Sequence, residues 1–314
     1  MPLPLRPPVA PQLARPRAEL PTGAGWVYEP KWDGFRAIVF VDGTDVEIQS
    51  RNGRSLTRYF PELAFPEARL VLDGEIVIPG EDGLPDFGAL QNRIHPAESR
   101  IRLLAQETPA RFLAFDLLAE GDESLLDLPF SERRRRLEVL ADTGIALTPY
   151  TADPKAAEKW LHQGEGVVAK EIGAPYLPGE RRGMAKIKRV RTIDCVVVGW
   201  RPGKHEGTVG ALILGLYDHA GELHVVGHSS GFSAKEKREL PAMLAPFETG
   251  QRGSGEPSRW SAGRELEWIE LRPELVVEVT FDHVSGGRIR HGTKIVRFRD
   301  DKKPSECSLD QLGA

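Results

Sequence analysis

"YEPKWDGFRA" (residues 28–37) places Lys31, Asp33, Gly34 and Arg36 within six consecutive positions, with Trp32 and Phe35 threaded between them. Residues 26–28 and 36–41 ("WVY", "RAIVFV") read as flanking strands. A lysine, an acid and an arginine are thus drawn toward a core, where each charge costs free energy unless it is paired. One reading is a polar turn in which Lys31 pairs with Asp33. The other is that Lys31 is held there for chemistry. A lysine amine is a nucleophile only when neutral, and nearby positive charge or desolvation lowers its pKa from about 10.4. Lys186 and Lys188, two positions apart and so on one face of a strand, are candidates for that charge.

The chain has 314 residues, enough for two domains, and its 40% hydrophobic and 28% charged residues are those of a globular protein. It contains no apolar run long enough to span a membrane. The start, "MPLPLRPPVAPQLARPR", lacks an apolar h-region and reads as an extended, polyproline-like lead-in rather than a secretory signal. Cys195 and Cys307 form no CxxC pair, which excludes a zinc ribbon and a disulfide framework and fits a reducing cytosol. A net charge of −4 argues against a chain-wide polyanion binder. Locally, "GERRGMAKIKRVR" (179–191) and "GGRIRHGTKIVRFR" (286–299) are rich in Lys and Arg and fit phosphate contacts on one face.

"DVEIQSRNG" (45–53) alternates and ends in an Asn52-Gly53 turn. "RLVLDGEIVIPG" (69–80) and "RFLAFDLLAEGDE" (111–123) are further strands. Helices are expected at 86–93, 98–106, 130–142 and 153–163. The third opens with Ser131 as its N-cap and carries Arg133 to Arg136 as a solvated face. Beyond residue 190 short strands with Gly-bearing turns surround one helix-like insert, 233–247, a pattern of a small OB-type barrel. Residues 248–263 read as a long polar loop. The fold class is therefore α+β: a mixed or antiparallel sheet domain over 1–190, then a β-barrel over 191–314.

Acids inside apolar strands are expensive unless paired or metal-bound. Glu75 is one, open between an arginine partner and a hard cation that wants carboxylates plus phosphate oxygens. Glu165, in "GEGVVAK", reads by itself as a turn residue. Phe115 ends an apolar run, where a ring is core or a surface that stacks on a purine. Ser50-Arg51-Asn52-Gly53 is by itself a plain hairpin turn.

In order along the chain these stretches read KxDGxR, SRxG, DGE, FDLL, EGxxxK and KxK, and Arg297-Phe298-Arg299-Asp300-Asp301-Lys302 closes the series. Together they resemble the nucleotidyltransferase motifs of ATP-dependent DNA ligases, with the tail similar to the RxRxDK motif on their OB domain. The similarity runs from Tyr28 to Cys307 and is greatest to the small bacterial ligase C type, in "YEPKWDGFRA", "RIHPAESR" and "LRPE". "GMAKIK" departs slightly at Met184, where relatives carry a tryptophan nearby. The length is too short for the fused polymerase and nuclease domains of the ligase D type.

The resemblance implies a nucleotidyltransferase (adenylation) domain followed by an OB-fold. It implies ATP as cofactor, Mg²⁺ with Mn²⁺ as an alternative, and nicked duplex DNA as partner of a cytoplasmic monomer, beside other DNA-repair proteins. Lys31 would carry AMP as a phosphoramidate. Glu29 would contact the adenine edge and Phe115 would stack. Glu75 would touch the ribose or the metal shell, and Glu165 would support Mg²⁺. Lys186 and Lys188 would hold the α-phosphate. Arg36, on the loop carrying Lys31, and Arg51 would take the 5′-phosphate of the nick or the sugar. Arg297, Arg299, Asp301 and Lys302 would orient the pyrophosphate leaving group. Two alternatives stay open: an RNA ligase or capping-type nucleotidyltransferase, and a catalytically silent OB-containing nucleic-acid-binding protein.

Overall fold

The computed structural model describes residues 2–80, 83–188, 191–255, 266–281, 284–285, 287–289 and 293–313. The chain forms two compact units, Met1–Arg189 and Val190–Ala314.

The strands of the first unit are β1 (Arg15–Arg17), β2 (Trp26–Pro30), β3 (Phe35–Gly43), β4 (Asp45–Ser50), β5 (Ala68–Val77), β6 (Arg111–Glu120), β7 (Glu123–Ser124), β8 (Val167–Glu171) and β9 (Met184–Ile187). They build an antiparallel sheet in the order β4-β3-β5-β6-β7 and a second in the order β1-β9-β8-β2, antiparallel apart from the β1–β9 pair. The sequence of β3 explains its central place. Ala37, Val39 and Val41 pack on one side with Leu72, Ile76 and Phe112, while Ile38 and Phe40 pack on the other with Val71, Leu118 and Tyr176. A strand covered on both faces is a continuous apolar run. Each buried Val, Leu, Ile or Phe among them stabilises the unit by roughly 1.5–3 kcal/mol.

Four helices complete the first unit: α1 (Phe87–Asn92), α2 (Glu98–Glu107), α3 (Phe130–Val139) and α4 (Pro154–Gln163). Asp86 and Asp153 cap α1 and α4 through their carboxylates, and Pro154 occupies the first turn of α4, where its missing N–H costs nothing. Helix α3 departs from expectation at its start. Its N-cap is Pro129, and Ser131 lies inside the first turn. No side-chain cap is needed, because the N–H groups of Phe130 and Ser131 donate to the carbonyls of Ala174 and Ile172. The helix also ends earlier, passing into a 3₁₀ turn at Leu140–Thr143.

The arginine run on α3 is not a solvated face. Arg135 and Arg136 pair with Glu132 toward solvent, but the side chains of Arg133 and Arg134 are only 2% and 6% exposed. Phe130, Arg133, Arg134 and Leu137 share the inward face of the helix. The N-terminal lead-in is likewise more than a tether. Leu3, Leu5 and Val9 pack against the Ile38–Phe40 side of the sheet, and residues 15–17 form β1.

The second unit contains β10 (Arg191–Pro202), β11 (Val209–Tyr217), β12 (Leu223–Ser229), helix α5 (Ala234–Leu244), β13 (Glu248–Gly255), β14 (Leu266–Leu271), β15 (Val276–Phe281), the short ribbon β16 (Val284–Ser285) and β17 (Arg288–Ile289), and β18 (Lys294–Phe298). Strand β10 pairs with β11 along one edge. Along the other it pairs with β15 through its first half and with β14 through its second. Irregular register between Val197 and Gly199 bends the strand, so that one strand serves both parts of a curled half-barrel. Gly199 lets the Trp268 ring pack directly on this backbone, since a Cβ there would lie 2.2 Å from the ring. Helix α5, opened by a Ser233–Glu236 capping box, buries Leu240 and Leu244 against this sheet.

Residues 248–255, expected as loop, form a strand instead. Pairing with β14 satisfies their backbone despite the Gly-rich sequence, and a register shift between Glu248 and Arg252 absorbs Gly250 at φ +78°. Residues 256–263 of that segment lie outside the described residues, as do 189–190 of the first basic stretch and 286 and 290–292 of the second. Cys195 and Cys307 are both buried in the core of this unit as free thiols. Burial pushes the Cys195 thiol far up and the Cys307 thiol up to about 11.

Candidate active site

Lys31 lies in the link between β2 and β3, not on a strand. Its backbone N–H donates to Gly166 O at 2.9 Å, which ties the link to the turn before β8. Two glycines allow this close approach. A Cβ on Gly166 would stand 2.1 Å from Ile187 O, and one on Gly34 would stand 2.3 Å from Ile76 O. Trp32, next along, donates its indole N–H to the Thr148 hydroxyl. The Lys31 ammonium is thereby aimed into a pocket and donates to Glu165 Oε2, with the two side chains 23% and 16% exposed.

The pocket belongs wholly to the first unit. Glu29, Phe115 and Lys170 line its inner end, Arg36, Glu75 and Lys186 line it near Lys31, and Arg51 and Arg181 also border it. At the inner end Lys170 donates to Glu29 Oε2 at 2.7 Å and to the Phe115 carbonyl at 3.0 Å. Its ammonium sits 4.6 Å from the centroid of the Phe115 ring. Beneath them Arg133 grips Asp116 through two hydrogen bonds of 2.7 and 3.0 Å.

Arg36 corrects an expectation. It stands on β3 rather than on the loop carrying Lys31, and its guanidinium is clamped by Asp73 through bonds of 3.0 and 2.6 Å. Tyr176 donates a further 2.6 Å bond to Asp73. Burial opposes the charge on Arg36, but Asp73 outweighs it and raises the pKa. Phosphate binding by Arg36 would therefore compete with Asp73.

Glu75 is half-buried, and burial pushes its carboxyl pKa up to about 8. Arg36 and Lys31 pull it down, while Asp73 and Asp33 push with the burial. A carboxyl short of compensating charge in this way suits a divalent cation, whereas Glu165 already lies between two lysines. Glu165 Oε1 lies 3.9 Å from Lys188 Nζ. Lys188 falls one residue past the end of β9 at Ile187, so only Lys186 of the two stands on the strand. Lys186 lines the pocket, and its pKa is lowered by burial and then by Lys188, Lys31, Arg51 and Arg181.

The tail motif lies in the second unit and is locked within it. Arg297, on β18, pairs with Glu278 at 2.7 Å. Arg299 pairs with Asp301 at 2.8 Å and with Asp194 at 3.0 Å, and Lys302 reaches the same Asp194 at 2.8 Å.

Sequence reasoning missed two inner residues. Lys170 ends the EGxxxK stretch and alternates with Val168 on the pocket face of β8, a strand-period signal present in "EGVVAK". Arg134 was hidden in a run of four arginines. Helical spacing from Phe130 to Leu137 marks it as inward.

A lysine, carboxylates, further cations and an aromatic ring converging on one pocket define a site built for a phosphorylated, ring-bearing ligand. The description "ATP dependent DNA ligase domain" matches residues 11–188, and "ATP dependent DNA ligase C terminal region" matches residues 205–302. The chain is 46% identical to DNA ligase C1 of Mycolicibacterium smegmatis, over 99% of this chain and 96% of that protein. It is also 46% identical to DNA ligase C of Mycobacterium tuberculosis at the same coverage. The crystal structure of the ligase domain from M. tuberculosis LigD superimposes with a TM-score of 0.55 at 32% identity, covering 95% of this chain and 97% of that one. The fold is that of a nucleotidyltransferase domain followed by an OB-fold, and the chain belongs to the ATP-dependent DNA ligase family.

Proposed function

We propose that this protein seals nicks in duplex DNA with ATP, with Lys31 as the nucleophile. The observation that carries the reading is the aim of the Lys31 ammonium into a pocket that also holds Lys186, Glu165 and the Phe115 ring. Lys31 Nζ, having lost its proton, attacks the α-phosphorus of ATP. A P–N bond forms, the bond to the bridging oxygen breaks, and pyrophosphate leaves. The 5′-phosphate of the nick then displaces Lys31 from AMP. The 5′-end now carries AMP through a P–O–P bond. The 3′-hydroxyl, giving up its proton, attacks the phosphorus of that 5′-phosphate, a phosphodiester forms, and AMP leaves. Each step is an in-line displacement, so the protein contributes positioning and stabilisation of charge.

Phe115 and Glu29 bind the base, and Lys186 with Lys188 stabilises charge on the α-phosphate. Arg51 takes the sugar or the nick phosphate, with Arg36 joining when Asp73 yields. Glu75 and Glu165 would hold Mg²⁺ or Mn²⁺, which supplies Lewis-acid stabilisation of phosphate charge when bound. Arg297, Arg299, Asp301 and Lys302 orient pyrophosphate during the first step. Free buried thiols support a reducing cytoplasm, and among the described residues no helix is long and apolar enough to cross a membrane. We take the enzyme to act as a monomer, with DNA-repair proteins as further partners.

Mass spectrometry of the protein after ATP treatment should find AMP on Lys31, and Lys31→Ala should lose both the adduct and nick joining. Sealing by the alanine variant from unadenylated enzyme would overturn the assignment.

A further inference from the structure

Arg201 stands near the end of β10, the strand that serves both parts of the half-barrel. It is half-buried, and its Nε is an enclosed donor without an acceptor. Burial lowers its pKa, and no acid pulls the other way. Other arginines drawn inward are each met by a carboxylate. Arg36 is clamped by Asp73, Arg93 by Glu62, Arg133 by Asp116, and Arg299 by Asp194 and Asp301. A guanidinium does not shed its proton in a protein, so Arg201 keeps its charge. A charge taken from water without a partner costs free energy. Its neighbours on the sheet face are small: Ala211 lies opposite on β11, and Gly199 precedes it by two positions. Neither brings a polar side chain to it. With Nε enclosed and the residue only half-buried, Nη1 and Nη2 are the nitrogens that reach the surface. They remain available to grip an anion as a fork. Lys204, three residues on in the turn, is exposed and adds a second cation.

We propose that Arg201 is a backbone anchor of the second unit: its terminal nitrogens take a phosphodiester oxygen of the duplex that carries the nick. The proposal rests on the DNA substrate proposed above. The missing counter-charge is then supplied by the substrate, and the desolvation already met in the free protein is offset only when DNA arrives. ATP and pyrophosphate fit this position less well. The nucleotide pocket lies wholly in the first unit and is not lined by Arg201, and the cations assigned to pyrophosphate are those of the tail motif. A DNA strand, by contrast, presents a phosphate about every 3.4 Å along its axis, so one cation fixed on a rigid strand finds a partner whatever the sequence.

The test measures affinity for a nicked duplex whose 3′-end lacks its hydroxyl, so that nothing is sealed, over a salt range of about 50–200 mM. Arg201→Met keeps the apolar stem and removes the charge. It should weaken binding at least about tenfold at low salt, the worth of one charge-assisted hydrogen bond. The slope of log affinity against log salt should become shallower by about one. Arg201→Lys should recover the slope but not all of the affinity, since a point charge does not reproduce the fork. Arg201→Met should melt no lower than wild type, because it loses an unpaired, half-buried charge. Its adenylation by ATP, a step that needs no DNA, should match wild type. Arg272→Met makes the same change in net charge at a guanidinium already held by Glu274 at 2.7 Å, and should leave the slope nearly unchanged. An unchanged slope in Arg201→Met, an equal change in Arg272→Met, a lowered melting temperature or slowed adenylation in Arg201→Met would each overturn the proposal. A wild-type enzyme that takes AMP from ATP but does not bind the nicked duplex would instead strike the proposed function.

Discussion

Replacing Arg133 with methionine should destabilise the first unit by about 3–5 kcal/mol, the usual cost of stranding one half of a buried ion pair. The magnitude follows from what Arg133 holds. Two of its nitrogens bind both oxygens of Asp116, and a third donates to the Leu128 and Ala174 carbonyls. The Arg133 and Asp116 side chains are 2% and 3% exposed, so water does not replace the lost bonds. In a domain of this size each kcal/mol lowers the melting temperature by roughly 2–4 °C, giving a drop of about 6–20 °C. Calorimetry of the full chain measures it. Two companions sharpen the result. Arg135→Ala, whose partner Glu132 also stands in solvent, should leave the melting temperature unchanged within error. Asp116→Leu added to Arg133→Met should recover much of the loss, since an apolar pair of similar volume replaces a stranded charge. A folded Arg133→Met variant melting within about 2 °C of wild type would refute the buried pair.

Gly34→Ala would press a methyl against the Ile76 carbonyl, so the link carrying Lys31 must shift. The rate of adenylate formation should fall about a hundredfold, as misplacement by an ångström does. A rate within a few-fold of wild type would show that the link does not depend on this contact. Without nucleotide or metal, stability should fall as pH rises from about 4.5 to about 8, because the unfolded chain releases the Glu75 proton while the folded chain keeps it. Glu75→Gln should flatten that slope in a series of melts, and an unchanged slope would assign it to other groups. Arg299→Ala should slow adenylation from ATP more than sealing of a pre-adenylated nick. Equal defects in the two assays would remove the leaving-group role.

Much of the first unit was legible because its signals are local. The apolar run of β3 and the Asn-Gly turn each act within a few residues, whereas the aspartate caps of α1 and α4 were not read and the N-cap expected at Ser131 fell to Pro129. The lysine link could also be located, since its motif is contiguous. Partners could not, because pairing is set by folding. Nothing near Arg36 announces Asp73, 37 positions on, and nothing in "SERRRR" tells Arg133 from Arg135 except helical phase. The same limit hid the strand at 248–255. Its Gly-rich sequence carries no strand propensity, and its order comes from β14 across the sheet.

The two buried thiols have a practical consequence for experiments on this protein. Thiol reagents attack the thiolate, which burial disfavours at both native cysteines. A cysteine placed by mutation on either unit's surface would then be modified selectively at neutral pH, with the native pair left in place. Fluorophores attached at such positions, one per unit, would give a distance signal through a catalytic cycle without first stripping the second core of two of its packed side chains.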